Sequence, residues 1–106
     1  MTIYQNMSIS RNMANKLQED LEICALCGKR IVGARDKHHL LNGNAYRNKS
    51  EEDGLYVYLH HTCHMWLHDH PISLRTFKQR AQRYYEEHIG TRKEFIKRYG
   101  KNYLEE

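Results

Sequence analysis

Cysteine and histidine are the residues of this chain whose spacing carries chemistry. Cys24 and Cys27 are separated by two residues, and so are His60 and Cys63. A C-x2-C turn presents both sulfurs on one side, and a second pair of the same spacing can close a tetrahedron around one ion. Three sulfurs and one imidazole form an ordinary set for structural zinc. The matching register selects His60 as the fourth ligand, with His61 as its competitor. Gly28, just after the second cysteine, lets backbone amides turn toward a metal-bound sulfur. A redox C-x-x-C is the rival reading. It is weakened by the matching second pair and by the missing βαβ pattern. Three cysteines are also an odd number, which suits a disulfide framework poorly.

Seven of the eight histidines fall between His38 and His70. Histidine binds metals, transfers protons and senses pH, so such crowding argues for a site. If residues 62–69 are helical, His64 and His68 are i and i+4, stand on one face and can chelate one ion. Met65 occupies the place of the glutamate in H-E-x-x-H, which excludes the zinc-protease motif. Cys63 points about a quarter-turn away from His64, so one helix can serve two ions. His38 and His39 are neighbours, and on an extended segment neighbours point to opposite faces. A division of labour follows, with one a ligand and the other an acid or base.

These residues need elements to hold them. Residues 1–20 carry Ile9, Met13 and Leu17 at helical spacing, with Ser8 or Ser10 as N-cap, and read as a short helix or an arm. Residues 37–41 are short and extended. Residues 42–54 are rich in turn formers and charge and read as a loop. Residues 55–59, LYVYL, read as a strand. A helix follows over about 62–69, where Met65, Trp66 and Leu67 supply apolar packing, and Pro71 stops it. Ser73 caps a helix to about His88, with Leu74, Phe77, Ala81, Tyr84 and Tyr85 near one face, and Gly90 closes it. Thr91 and Glu94 form a capping box for a last helix, with Phe95, Ile96 and Tyr99 inward and Gly100 at its end. The parts are therefore an arm (1–22), a ligand-bearing centre (23–72) and a basic helical pair (73–106).

The 106 residues suggest one domain with a modest core, for which a metal staple is a useful addition. No apolar run approaches the roughly 20 residues of a membrane span. The N-terminal stretch lacks the layout of a signal peptide, so an intracellular protein is expected. Charge is uneven. Residues 1–70 hold eight Lys/Arg against eight Asp/Glu, whereas residues 71–104 hold nine Lys/Arg against three Glu. A basic C-terminal third suggests a polyanionic partner, most simply nucleic acid.

A double histidine, a loop, a strand ending in H-x-x-C-H and a histidine four residues later together resemble the HNH endonuclease family in its zinc-knuckle variant. The segment DKHHLLNGNAYRNKSEEDGLYVYLHHTCHMWLHDHP and the ending EEHIGTRKEFIKRYGKNYL look similar to small HNH-like proteins of bacterial viruses and prophages. The resemblance covers about residues 23–104. It implies an α+β fold with a small ββα-metal core, a β-hairpin plus helix, joined to a zinc knuckle and C-terminal helices. It implies His38 as the first metal ligand, His39 as general base, and His64 and His68 as the helix histidines that complete the metal site. Cys24, Cys27, His60 and Cys63 match the structural zinc knuckle.

The activity implied is metal-dependent hydrolysis of DNA phosphodiesters, double-stranded DNA first, leaving 5′-phosphates, in the cytoplasm of a bacterial cell and phage- or prophage-encoded. No organic cofactor is implied. Three imidazoles suit manganese, nickel, cobalt or zinc, with magnesium admitted through substrate oxygens. Arg47 in the loop is a candidate phosphate contact, and Arg75, Lys78, Arg83, Lys93, Lys97 and Arg98 are candidates to hold the DNA backbone. One position departs from the family. The motif asparagine, which holds the hairpin loop and through it the base, falls at Gly54. Asn42, Asn44 or Asn48 can substitute. Otherwise the chain is a catalytically decayed, zinc-stabilised module that binds nucleic acid or protein.

Overall fold

The computed structural model describes residues 17–41 and 43–104. The elements are β1 (Asp36–His39), α1 (Arg47–Asp53), β2 (Tyr56–Leu59), α2 (His61–His68), α3 (Pro71–His88) and α4 (Arg92–Tyr99). Among the described residues the architecture is α+β: one two-stranded antiparallel sheet with four helices. The expected N-terminal helix lies outside the described residues except at its end, where Leu17 is buried.

The hairpin register pairs Asp36 with Leu59, Lys37 with Tyr58, His38 with Val57 and His39 with Tyr56. Because side chains alternate along a strand, Asp36, His38, Val57 and Leu59 share one face, and Lys37, His39, Tyr56 and Tyr58 share the other. His38, Val57 and Leu59 are buried beneath the helices. The core continues through Leu40, Leu41 and Leu55 at the hairpin end, Leu67 of α2, Phe77, Ala81, Tyr84 and Tyr85 of α3, and Phe95 and Tyr99 of α4. Among the described residues, no helix is long and apolar enough to cross a membrane.

The sequence expectation fails in residues 42–54, where the hairpin connection contains a helix, α1, and not only a loop. Its sequence, RNKSEED, has no apolar stripe, so tertiary contacts hold it. Ser50 is fully buried, and its hydroxyl donates to Leu41 O at 2.7 Å and accepts from Leu41 N at 3.2 Å. Gly54 ends the helix in the left-handed region, with φ 74°, where a Cβ would be strained. Asn42 lies outside the described residues, and Asn44 and Asn48 are exposed.

Smaller corrections concern helix ends and faces. Pro71 does not merely stop α2. It is the first residue of α3, where a missing N–H costs nothing and its fixed φ suits a helix, so His70 rather than Ser73 is the cap. Ile89, not Gly90, is the C-cap residue of α3. Of the apolar trio on α2 only Leu67 is buried; Met65 and Trp66 are exposed. Ile96 of α4 is likewise exposed, while Phe95 and Tyr99 point inward. The capping box of α4 is present in both directions, with Glu94 N–H donating to Thr91 Oγ1 and Thr91 N–H to Glu94 Oε1.

Candidate metal centres and the histidine cleft

The first ligand group is built from a tight turn and a helix start. Cys24 N–H donates to Lys29 O at 2.9 Å, Gly28 N–H donates to Cys24 O at 3.0 Å, and Ile23 bridges to Arg30. Gly28 takes φ 79°, which lets the chain reverse directly after Cys27. His60 caps α2 from an extended conformation, and Cys63 sits in the first turn of that helix. The ligand atoms of Cys24, Cys27, His60 and Cys63 all lie within 4.8 Å of one another, so this group can hold a metal ion. His60 Nδ1 is 3.4 Å from Cys27 Sγ and 3.8 Å from Cys63 Sγ. The edge of a tetrahedron with metal–sulfur bonds of ~2.3 Å is about 3.8 Å, so the spacing is compatible with zinc. His60 Nε2 lies 3.1 Å from Arg30 O, a contact that places the N–H there and leaves Nδ1 facing the sulfurs. His61 faces away, toward Asp36.

The thiols are electrostatically unequal. Burial opposes ionisation of Cys24, but hydrogen bonds from the backbone of Cys27, His60 and Leu26 outweigh it and bring the thiol down to about 6. Burial, then hydrogen bonding and charge from Cys24 and Cys27, push the Cys63 thiol up to about 12. Crowded sulfurs cannot all ionise without a cation, and binding one must therefore release protons.

The second group lies on the buried face of β1. His38, His64 and His68 present ligand nitrogens within 4.8 Å of one another. His64 and His68, one turn apart on α2, bring their Nε2 atoms to 3.1 Å. The His38 ring lies edge-on to both, with centroids 5.1 and 5.8 Å away. Its Nε2 is buried and has no hydrogen-bond partner among the described residues. A buried polar atom left alone is costly, and a cation in the cluster would satisfy it. Burial first, then the charges of His64 and His68, hold His38 down to about 3. The ring is therefore neutral and keeps a lone pair.

Asp36, two residues before His38 on the same face, accepts from His64 Nδ1 at 2.9 Å and His61 Nδ1 at 2.8 Å. The His64 contact, followed by His61, holds the Asp36 carboxyl below the usual range. A carboxylate behind an imidazole fixes its tautomer and turns the other nitrogen outward, as metal-binding histidines require.

His39 occupies the opposite face of β1. Its Nε2 lies 2.7 Å from Glu51 Oε1 on α1, and Lys37 Nζ reaches the same carboxylate at 3.1–3.2 Å. A cavity of about 240 Å³ opens at the strand edge, lined by Lys37, His38, His39, Arg47, His64 and His68. It joins the three-imidazole cluster to the fourth histidine and to two cationic side chains.

Arg47 thus stands at the cleft, and Lys78 is near enough for its charge to act on His38. Arg83, Lys93 and Lys97 are exposed along α3 and α4. Arg75 donates to Tyr103 O. Arg98 is engaged internally: its Nε donates to Asp53 Oδ2 at 2.7 Å and its Nη2 to Glu52 Oε1 at 2.8 Å. Sequence reasoning missed Asp36, Glu51, Ser50 and Lys37. Period-2 alternation from His38 and His39 was the available signal for Asp36 and Lys37. Glu51 and Ser50 had none, since their segment looked like a loop.

Comparison with protein-family profiles, with curated proteins and with solved structures returned no match.

Proposed function

We propose that the protein is a metal-dependent endonuclease of the HNH type that hydrolyses DNA phosphodiester bonds. The observation that carries this reading is the three-imidazole cluster with its orphaned, buried His38 Nε2, opening into the same cleft as His39 and Arg47. His38, His64 and His68 would hold a divalent cation. Cys24, Cys27, His60 and Cys63 would hold a structural zinc that ties the start of α2 to the knuckle. A cation held there would supply charge to offset the phosphate and the leaving oxygen.

The chain's own residues do the rest. Arg47 and Lys37 draw the phosphate into the cleft. His39, with one nitrogen engaged by Glu51, uses the other to take a proton from the attacking water. Water oxygen bonds to phosphorus, the bond from phosphorus to the 3′ oxygen breaks, and that oxygen gains a proton from solvent. A 5′-phosphate and a 3′-hydroxyl result. Lys78, Arg83, Lys93 and Lys97 contact the DNA backbone without reading sequence.

The second reading is a zinc-stabilised binding module, which Gly54 in place of the motif asparagine favours. The left-handed cap at Gly54 gives that glycine a structural reason of its own and weakens this alternative. Nicking of supercoiled plasmid with added magnesium, manganese or nickel decides between them, with a His39→Ala protein purified in parallel. Nicking by the parent and about 10²- to 10⁴-fold less by the variant supports the enzyme. Equal nicking by both proteins assigns the activity elsewhere. No nicking with any metal, on single- or double-stranded DNA, leaves the binding module.

A further inference from the structure

His39 and Glu51 would be an ordinary surface pair if their geometry were loose, because exposed ion pairs contribute little. Here both partners are fixed by what surrounds them. His39 stands on a paired strand, opposite Tyr56, with its side chain only 17% exposed. Glu51 belongs to a helix pinned on both sides of it. One residue before, the buried Ser50 hydroxyl grips both the N–H and the carbonyl of Leu41, two residues past His39. Leu55 N–H then donates to Ser50 O and Leu40 N–H to Leu55 O, closing the hairpin around the same point. Two residues after Glu51, Asp53 accepts from Arg98 Nε and from Tyr99 OH at 2.6 Å, and Lys49 Nζ donates to Arg98 O. α1 therefore cannot turn without breaking buried or charge-assisted bonds. Lys37 steadies the carboxylate from the side.

From this arrangement we infer that Glu51 is the positioning residue for His39, holding the ring through Nε2 so that Nδ1 is the nitrogen left to accept a proton in the cleft. The inference rests on the nuclease reading for its catalytic meaning, but the hydrogen bond itself does not. A carboxylate on Nε2 selects the tautomer with hydrogen at Nε2, fixes the ring plane and stabilises the imidazolium once the proton arrives. Glu51 does not line the cleft and touches no reacting atom. Ser50 and Glu51 together do what an asparagine in the hairpin would be needed for: one staples the loop backbone, the other aims the base.

The test uses the full chain loaded with zinc and magnesium, as the parent and as Glu51→Gln, Glu51→Ala and Glu51→Asp. Ring 15N spectra report the His39 tautomer, and steady-state nicking reports kcat and KM. The expected result is a parent whose His39 is protonated at Nε2 alone, and a Glu51→Ala protein in which a measurable fraction of the hydrogen sits at Nδ1. Its kcat falls about ten- to hundredfold while KM changes by less than about twofold. Glu51→Gln still accepts the N–H but lacks the charge. It keeps the tautomer and loses less rate, which guards against a misfolded alanine variant. Glu51→Asp, one methylene short, behaves between Gln and Ala. An unchanged tautomer and unchanged kcat in both Glu51→Ala and Glu51→Gln overturn the inference, as does a loss confined to KM. A parent that never cleaves DNA overturns the nuclease reading instead, and the tautomer spectra still judge the bond.

Discussion

His38 must remain neutral to offer a lone pair, and its burial enforces this at a cost that pH exposes. Its folded value of about 3 lies below the ordinary 6.5. The unfolded chain therefore binds a proton that the native state refuses as pH falls below 6.5. Stability from this residue is fully present above 6.5 and is lost as pH drops toward 3, by at most about 1.4 kcal/mol per pH unit. Denaturant titrations of the metal-free protein between pH 6.5 and 4.5 should show that slope, and His38→Leu should flatten it. A slope unchanged in the variant would place the acid sensitivity elsewhere. Asp36 makes a separate prediction, since it orients His64 through Nδ1 and is not itself one of the grouped ligands. Asp36→Ala should weaken manganese binding about ten- to hundredfold by calorimetry while the zinc stays bound. Unaltered manganese affinity would deny Asp36 that role. At this scale the sequence was most readable. The ligand types, their spacing and the opposite facing of His38 and His39 follow from residue identity and strand alternation alone. Glu51 was not readable, because acidic residues are common and its segment looked like a loop, whereas strand alternation from His38 was the one local signal for Asp36.

At the scale of elements, regular patterns were legible and tertiary ones were not. The strand at β2, the helix carrying His64 and His68, and the capping box of α4 all show in local chemistry: β-branched and aromatic residues, i,i+4 spacing, and Thr91 three residues before Glu94. α1 does not, because a seven-residue helix without an apolar stripe is stable only through what it touches. Ser50 supplies that contact from full burial. Ser50→Ala should leave the Leu41 amide and carbonyl unpaired and lower unfolding free energy by about 1–3 kcal/mol, measured by denaturant titration. A neutral substitution would mean the staple is dispensable. Arg98, one of the candidate DNA contacts, is paired with Asp53 and Glu52 of α1. Arg98→Ala should therefore cost about 1–2 kcal/mol of stability and change DNA affinity little at fixed salt. A variant with full stability and several-fold weaker DNA binding would return Arg98 to the interface.

Among the described residues, two groups that could hold a metal ion draw on one short helix beside a hydrophobic core, each with one buried member and the rest partly or fully exposed. Cys63 of α2 groups with Cys24, Cys27 and His60, while His64 and His68 of the same helix group with His38 of β1, so α2 joins the two groups. Uneven charge was legible as a basic C-terminal third, but the folded positions of those cations were not. Of these, Lys78 comes near enough for its charge to act on His38 and Arg98 pairs with α1, while the cation that lines the cleft beside Lys37 is Arg47, from outside that third. The central claim is that the three imidazoles hold the cation that makes the cleft cut DNA, separately from the zinc that holds the fold. The most direct measurement strips the weaker metal from the zinc-loaded parent and from His64→Ala, then follows plasmid nicking as manganese is restored. The predicted result is activity that returns with manganese in the parent and stays at least about a hundredfold lower in His64→Ala, while both proteins retain one zinc and the same thermal midpoint above the metal-free form. Nicking that returns equally in His64→Ala, or that never depended on added metal in the parent, would contradict it.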